Sequence, residues 1–325
     1  MINKVHFGRR IAALRKRQNL SQSDLSEKLG VSPQAVSKWE CGGALPDIDI
    51  LLELSHLYGV TINAMLEDAD LIYQLTGVQA GRSGIAYFVR GSENGRLSAW
   101  EKEIAEGRYI ERNWAEAAKR PYMNRDVIGR QIAERGGTIV EIGAGPGGGY
   151  MPYILMADPD AAVVISDISP AVVREWKAFL DKTLDLPSVS YAVIDFCNMP
   201  FKDCSIDTVS DGGGIGNCIG DRRMALKEAY RVLKRGGLLV TATGFVNRET
   251  LEGLPQNVQS VLLKERPDIF DDLYEDTVLA GFGKIDSVID GCWYTDDDDS
   301  EIADLARSLG VNLKFTSYTR FCYKL

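Results

Sequence analysis

Hydrophobic residues recur at helical intervals from the start of the chain. Phe7, Ile11 and Leu14 are three or four positions apart with basic residues between them, which predicts an amphipathic helix running to about Leu20. Ser21 follows, with an acidic residue three positions later, a pattern typical of a capped helix start. The sequence therefore predicts a second helix directly after the first.

The second and third predicted helices are joined by a tight turn. Gly30 is placed to end the second helix, and Ser32 before Pro33 signals the start of a third, which runs to about residue 41. Val36 and Trp39 are three positions apart and would bury one face of this third helix. The pattern predicts a helix-turn-helix whose outer face carries Gln34, Ser37 and Lys38.

The run from Leu20 to Glu40 resembles the Cro/lambda-repressor (XRE) family of DNA-binding domains, and predicted helices at 47–60 and 61–66 extend the resemblance to residues 5–66. The resemblance implies a homodimer on DNA, with Gln34, Ser37 and Lys38 reading bases in the major groove. It also implies a phosphate contact from Gln22. The alternative interpretation of this polar helix face is a protein–protein interaction module.

Charge is divided unevenly along the chain. Of the 37 basic and 46 acidic residues, residues 1–66 hold 8 and 6, and the remaining residues hold 29 and 40. Only the N-terminal segment therefore has a net positive charge suited to DNA, and a phosphate backbone would be repelled by the rest.

Clean periodicity is lost between residues 67 and 97, apart from a short predicted helix at 69–75. We therefore interpret residues 1–68 as one domain, 69–97 as a linker and 98–325 as a second domain. Ser98 and Glu101 form a capping pattern that opens a helical region through about residue 134. This region contains the aromatic residues Trp100, Tyr109, Trp114 and Tyr122. They either pack in a core or line a site for a sulfonium or ammonium group.

A β-branched run at Thr138–Ile142 leads directly into Gly143–Gly149, where five of seven residues are glycine. This pattern predicts a strand, a loop whose backbone a ligand can approach, and a helix from about Tyr150. The same letters satisfy the dinucleotide fingerprint G-x-G-x-x-G. The loop alone therefore leaves a nicotinamide cofactor open as an alternative.

Two further apolar runs, 161–166 and 189–194, each end in an aspartate, Asp167 and Asp195. Asp167 follows the first loop glycine by 24 residues, where a carboxylate can accept hydrogen bonds from both hydroxyls of a ribose. This spacing fits either a dinucleotide or S-adenosylmethionine.

The ordered set of Glu141, the glycine loop, the two aspartates and segments 199–209 and 229–240 resembles class I S-adenosylmethionine-dependent methyltransferases, specifically the type 11 group, over about residues 120–245. The resemblance implies an α/β domain with a doubly wound, seven-stranded Rossmann-like sheet. It places Glu141 and the loop along the methionine part of the cofactor, Asp167 at the ribose, and Asp195 at the adenine amine. The residues implied to bind S-adenosylmethionine are Glu141, Gly143, Ala144, Gly145, Gly147, Asp167, Ile168, Asp195, Phe196 and Asp211.

The rest of the second domain is predicted in less detail. Residues 249–280 are expected to be mostly helical, 283–295 and 311–325 to form the last two strands, and 301–309 to form a helix between them. The four aspartates at 296–299 are interpreted as a solvated loop, and no metal site is expected. The six cysteines include no C-x-x-C pair and are interpreted as scattered free thiols.

Composition places the chain among globular proteins, with 45% hydrophobic and 26% charged residues. No stretch approaches the ~18 uninterrupted apolar residues that a membrane span requires, and the polar first ten residues lack the apolar core of a signal peptide. We therefore expect no membrane partner and a cytoplasmic location.

The sequence also limits the chemistry. The only histidines, His6 and His56, lie in the N-terminal segment, so a proton acceptor elsewhere must be a carboxylate, a tyrosine or solvent. Tyr109 and Asp211 are the candidates. Residues 210–217 lack the Asn/Asp-Pro-Pro-aromatic motif of nucleic-acid amino-methyltransferases.

These features predict a methyltransferase that acts on a small molecule or a protein side chain and is fused to a repressor-like DNA reader. The alternative is a transcription regulator whose methyltransferase-like domain only senses S-adenosylmethionine or a metabolite.

Overall fold

The computed structural model describes residues 4–66, 71–81, 83–89, 104, 109–119, 124–184, 186, 188–216, 218, 221–297 and 301–325. Its N-terminal part is helical, with helices α1 (Lys4–Arg17), α2 (Gln22–Lys28), α3 (Pro33–Glu40), α4 (Ile48–Tyr58) and α5 (Ile62–Leu66). Each helix contributes to one apolar core, which includes Phe7, Leu25, Val36, Leu54 and Met65.

The helix starts follow the predicted caps. Ser21 Oγ accepts the Asp24 N–H at 3.1 Å, and Asp24 Oδ2 accepts the Ser21 N–H at 2.7 Å, so the capping box of α2 is complete. Ser32 caps α3 in the same way, by accepting the N–H of Ala35 at 3.2 Å. Helix α1 ends three residues before the predicted Leu20, because Asn19 adopts a left-handed conformation with φ of 56°.

The second part is built on a mixed sheet of order β1-β4-β3-β2-β5-β6-β8-β7. The first six of these strands are parallel, and β8 is antiparallel to both β6 and β7. The carboxyl ends of β2 to β5 therefore share one edge of the sheet. The strands are β1 (Ile85–Tyr87), β2 (Thr138–Ile142), β3 (Ala162–Asp167), β4 (Val189–Val193), β5 (Ile206–Asp211), β6 (Leu233–Val246), β7 (Lys284–Tyr294) and β8 (Lys314–Tyr323).

The sheet has eight strands in the described residues, so the expected number of seven is wrong by one. The additional strand, β1, comes from the predicted linker and pairs in parallel with β4. Ile85 and Ala86 are both buried, and they belong to the cores on opposite faces of the sheet. Helix α6 (Leu71–Thr76), from the same segment, also buries Leu71 and Leu75 in the sheet's core.

Helices cover both faces of the sheet, as the doubly wound prediction requires. The core on one face includes Ile132, Ile154 and Trp176, and the core on the other includes Leu226 and Ala229. The helices that supply these cores are α7 (Tyr109–Lys119), α8 (Arg125–Arg135), α9 (Met151–Ala157), α10 (Pro170–Thr183) and α11 (Arg222–Val232).

The helices of the C-terminal third are α12 (Arg248–Glu252), α13 (Gln256–Glu265), α14 (Tyr274–Leu279) and α15 (Glu301–Ser308), with 3-10 turns at Pro267–Phe270 and Thr295–Asp297. A smaller apolar cluster joins α13 and α15 and includes Val258, Leu262 and Ile302. The predicted mostly helical region and the inserted helix are therefore present. In the described ranges, none of the helices combines the length and the apolar character that a bilayer crossing demands.

Candidate functional site

The glycine loop lies at the shared carboxyl edge of β2 to β5, and its glycines serve two purposes. A Cβ at Gly149 would stand 1.8 Å from Glu141 Oε1, and one at Gly148 would stand 2.7 Å from the Trp176 ring, so these two positions are filled by the protein itself. A Cβ at Gly147 would meet no atom within 4 Å, and one at Gly145 would meet only the Gly143 carbonyl at 3.9 Å. The loop therefore has a packed inner side and an open outer side.

Two side chains from neighbouring helices hold the loop. Trp176 Nε1 in α10 donates to the Gly145 carbonyl at 2.8 Å, and Asn113 Nδ2 in α7 donates to the Pro146 carbonyl at 3.1 Å. Tyr109 lies one turn before Asn113 on α7 and is half-buried, with the Arg112 guanidinium 4.8 Å from its ring centre. Helix α7 thus brings Tyr109 to the loop side of the domain. Its predicted neighbours Trp100 and Tyr122 lie outside the described residues, and Trp114 packs against Trp176 and Phe179 as core.

Glu141 is the penultimate residue of β2 and is fully buried behind the loop. Its Oε2 accepts from Ser210 Oγ at 2.5 Å, and its Oε1 accepts from the Tyr150 N–H at 3.3 Å. Burial raises the pKa of Glu141 to about 8, and the nearby Asp211 carboxylate adds to the rise while the hydrogen bonds oppose it. A cation placed beside Glu141 would favour its ionised form.

Asp167 ends β3 and is tied to the beginning of the loop. Its Oδ2 accepts the Gly145 N–H at 2.8 Å and its Oδ1 accepts the Ser169 N–H at 2.8 Å. Burial raises the pKa of Asp167, and the hydrogen bonds from the backbone oppose the rise. Glu141 and Asp167 thus hold the two ends of one loop. Ile168, next in the chain, is half-buried.

Phe196 brings the end of β4 to the same loop. A Cβ at Gly143 would lie 3.4 Å from Phe196 Cε1, so the ring flanks the loop's first glycine. Asp195 is half-buried and its Oδ1 accepts the Cys197 N–H at 2.8 Å. The acidic ends of β2, β3 and β4 are therefore gathered around the glycine loop.

Asp211 ends β5 and shapes the turn that follows it. Its Oδ1 accepts the N–H groups of Gly213 and Gly214 at 3.1 and 2.5 Å, and its Oδ2 accepts from Thr241 Oγ1 at 2.6 Å. Burial raises the pKa of Asp211 to about 6 against the effect of these bonds. Since both oxygens are engaged within the protein, the geometry gives Asp211 a positioning role.

Arg125 is a site residue that the sequence analysis missed. At the start of α8, its Nη1 donates to the Gly149 carbonyl at 3.2 Å and its Nη2 to the Gly212 carbonyl at 2.8 Å. The guanidinium carbon lies 5.4 Å from the centre of the Tyr150 ring. Arg125 therefore joins the loop after β2 to the loop after β5. No periodicity or spacing in the sequence indicates this contact.

In the N-terminal part, α3 presents the predicted face. Gln34 and Lys38 are exposed and Ser37 is half-buried, whereas Val36 and Trp39 are buried. The contacts of these polar residues with DNA remain a prediction.

Gln22 is hydrogen-bonded to Glu40 within the same domain. Its Nε2 donates to Glu40 Oε2 at 2.7 Å, and Arg15 donates to both oxygens of Glu40 at 2.7 and 3.0 Å. The hydrogen bond with Glu40 raises the pKa of Arg15. Glu40 thus positions the residue for which a phosphate contact is predicted.

Within the described ranges, no group of three or more His, Cys, Asp or Glu side chains is arranged to hold a metal ion. Asp298 and Asp299 of the four-aspartate run lie outside those ranges.

Family comparisons agree with both parts of the chain. Residues 11–64 match a family model described as helix-turn-helix. Residues 140–241, which hold the loop and the ends of β3, β4 and β5, match a model described as methyltransferase domain. The chain joins a helix-turn-helix domain to a methyltransferase domain. The match to the methyltransferase family ends at Thr241, so β7 and β8 lie beyond it.

Two curated relatives resemble different parts of the chain. The HTH-type transcriptional activator BcrR of Enterococcus faecalis is 38% identical over 68 residues, 21% of this chain and 33% of that protein. The ubiquinone/menaquinone biosynthesis C-methyltransferase UbiE of Acidiphilium cryptum is 30% identical over 100 residues, 31% of this chain and 39% of that protein. The chain therefore spans less than half the length of each of these relatives.

Solved structures of methyltransferases show a limited likeness. One of them is phosphoethanolamine N-methyltransferase 2 of Haemonchus contortus, solved in complex with S-adenosyl-L-methionine. It is 17% identical, and the superposition covers 69% of this chain and 57% of that chain with a TM-score of 0.47.

Proposed function

We propose that this chain is an S-adenosylmethionine-dependent methyltransferase whose acceptor is a small molecule or a protein side chain, joined to a homodimeric, sequence-specific DNA-binding domain. The observation that carries the proposal is the gathering of Glu141, Asp167 and Asp195 around a glycine loop with an open outer side. The match of residues 140–241 to the methyltransferase domain supports it.

The residues present fit the chemistry of this cofactor. S-adenosylmethionine carries a sulfonium and an ammonium group. A nearby cation stabilises the ionised form of a buried carboxyl such as Glu141. Asp167 is a hydrogen-bond acceptor for ribose hydroxyls, and the Phe196 ring offers a flat apolar face for adenine. Gly145 and Gly147 leave the loop backbone open to close approach.

When bound, the cofactor supplies an activated methyl group, so the main demand on the protein is to orient the acceptor in line with it. Tyr109 is the candidate group on the acceptor side, because α7 lies against the loop through Asn113. Asp211 is less suited to proton transfer, since Thr241 and the turn amides already use both its oxygens.

A nucleic-acid acceptor is disfavoured by charge. The 259 residues after Leu66 hold 40 acidic and 29 basic groups, which would repel a phosphate backbone. We therefore assign DNA contact to the helix-turn-helix domain alone, with base contacts from Gln34, Ser37 and Lys38 and a phosphate contact from Gln22.

Calorimetric titration with S-adenosylmethionine tests the cofactor assignment. Asp167→Asn keeps the size of the side chain but removes its charge, and we expect a loss of about 2 kcal/mol in binding, roughly thirtyfold in Kd. Asp181→Asn is the matched control, because Asp181 lies on α10 in an exposed ion pair with Lys177. Unchanged binding by Asp167→Asn, with a thermal melt showing that it is folded, would contradict the ribose assignment.

A regulator that only senses the cofactor is the second candidate, because both oxygens of Asp211, one of the two candidate proton acceptors, are already bonded within the protein. The two candidates differ in whether methyl groups leave the cofactor. Incubation with radiolabelled S-adenosylmethionine and a cell extract should label an acceptor if the chain is an enzyme. Cofactor binding without transfer to any acceptor would favour the sensor.

A further inference from the structure

Two cysteines that are far apart in the sequence lie in contact. Cys197 Sγ and Cys218 Sγ are 3.6 Å apart, although 21 residues separate them in the chain. Both residues are partly exposed, so a small solute can reach them. All six cysteines are free thiols, as the sequence predicts, but these two are in contact rather than scattered.

The pair lies beside the loop of the candidate site. Cys197 directly follows Phe196, and its N–H donates to Asp195 Oδ1 at 2.8 Å. Cys218 follows β5, and its N–H donates to the Ile215 carbonyl at 3.2 Å. The two thiols therefore connect the segment after β4 with the loop after β5.

Gly143 lies between these same two segments. A Cβ there would stand 3.2 Å from Gly214 Cα and 3.4 Å from Phe196 Cε1. A change in the distance between the two segments therefore changes the positions of Gly143 and of the Phe196 ring.

We propose that Cys197 and Cys218 form a redox-sensitive dithiol, which hydrogen peroxide oxidises to a disulfide that weakens binding of the adenosyl part of the cofactor. The effect on binding rests on the proposed function, whereas disulfide formation does not. In reducing compartments, the disulfides that do form are usually transient and redox-sensing rather than structural.

The chemistry balances with peroxide as the oxidant. One thiolate attacks a peroxide oxygen and becomes a sulfenic acid as one water leaves, and the second thiol displaces a second water to form the S–S bond. Two thiols and one peroxide thus give one disulfide and two waters. The hydrogen bond with Cys218 and then burial raise the pKa of the Cys197 thiol, and the balance of the reaction is the same whichever of the two sulfurs attacks first.

Bond formation requires movement near the site. The sulfurs must approach from 3.6 Å to about 2.05 Å, a change of about 1.5 Å that rotation of the two side chains and movement of the two segments share. Because Cys197 is bonded to Phe196, the movement of its segment displaces the ring. Loss of one aromatic contact accounts for a weakening of roughly tenfold in cofactor Kd.

Peptide mapping by mass spectrometry tests the disulfide. The full chain is treated with hydrogen peroxide, digested without reduction and compared with Cys197→Ser, Cys218→Ser and the control Cys292→Ser, which changes an exposed cysteine on β7. We expect a linked Cys197–Cys218 peptide, reversible by dithiothreitol, in the wild type and in Cys292→Ser. If no such peptide forms in the wild type, the proposal is overturned.

Calorimetric titration of S-adenosylmethionine tests the effect on binding. We expect the oxidised wild type to bind about tenfold more weakly, the re-reduced protein to recover, and Cys197→Ser to show no response to peroxide. Equal affinity of the linked and reduced proteins overturns the effect on binding. Failure of the reduced protein to bind the cofactor refutes the proposed function and this effect together, while a mapped disulfide still stands.

Discussion

The buried carboxyl of Glu141 makes the stability of the methyltransferase domain depend on pH in a predictable direction. In the unfolded chain the group has its ordinary pKa of 4.5, and in the folded chain burial raises the pKa to about 8. The folded state therefore binds this proton more tightly, so stability is fully present below about pH 4.5 and is lost as the pH rises toward 8. At about 1.4 kcal/mol per pH unit, and with the group fully buried, the loss is about 3–5 kcal/mol.

Glu141→Gln isolates this effect. Glutamine keeps the shape of the side chain and an oxygen that can accept the Tyr150 N–H, but it does not titrate. We expect the variant to match the wild type near pH 5 and to exceed it by about 3–5 kcal/mol in free energy of unfolding above about pH 8. Asp211, whose pKa burial raises to about 6, keeps a smaller pH dependence in both proteins.

Urea denaturation of the full chain at several pH values is the assay, with unfolding followed by pulsed hydrogen exchange in β2 to β5. This readout reports on the sheet alone and excludes the helix-turn-helix domain, which has a separate apolar core. Glu175→Gln, an exposed position on α10, is the matched control and should follow the wild type. Parallel pH profiles for the wild type and Glu141→Gln would refute the reasoning.

Cofactor binding adds a second readout of the same group. A bound cation lowers the pKa of Glu141, so near neutral pH the wild type should release a proton when S-adenosylmethionine binds. Calorimetry in two buffers with different ionisation enthalpies measures this release. Glu141→Gln should bind without it, and an equal release by the variant would assign the proton to another group.

Two further predictions concern the loop and the DNA-binding face. Gly149→Ala places a Cβ 1.8 Å from Glu141 Oε1 and should abolish cofactor binding and lower the melting temperature, whereas Gly147→Ala meets no atom within 4 Å and should leave the melting temperature unchanged. Gln34→Ala should reduce discrimination between operator sequences more than it reduces overall DNA affinity, and Arg9→Ala should do the reverse. Binding assays on specific and random duplexes measure both effects. Equal losses on all sequences for Gln34→Ala would count against base reading.

The sequence predicts elements well where a local signal sets them. The caps at Ser21 and Ser32 act within three residues, so α2 and α3 begin where the pattern indicates. Strand β1 has only three residues, too few for a period to show, and it forms because β4 offers a parallel edge that is distant in sequence. This edge pairing explains why a segment predicted as linker joins the sheet.

The candidate site divides in the same way. Glu141, Asp167 and Asp195 are predictable because each ends or follows an apolar run, and the parallel sheet then brings those ends to one edge. Their partners are not predictable, because Ser210 reaches Glu141 across 69 positions and Arg125 reaches Gly212 across 87. Contacts of this kind depend on the packing of whole elements, which no local pattern encodes.

The glycines after β5 have a physical explanation that also bears on the acceptor. A Cβ at Gly212 would stand 2.5 Å from Gly149 Cα, and one at Gly214 would stand 3.3 Å from Gly143 Cα, so the two glycine loops pack backbone against backbone with Arg125 across them. An Asn/Asp-Pro-Pro motif cannot occupy this position, since a proline at 212 would displace the glycine loop that follows β2. Under the proposed function we therefore expect groups that select the acceptor to come from other elements as well, and α7 is one candidate because Asn113 contacts the loop.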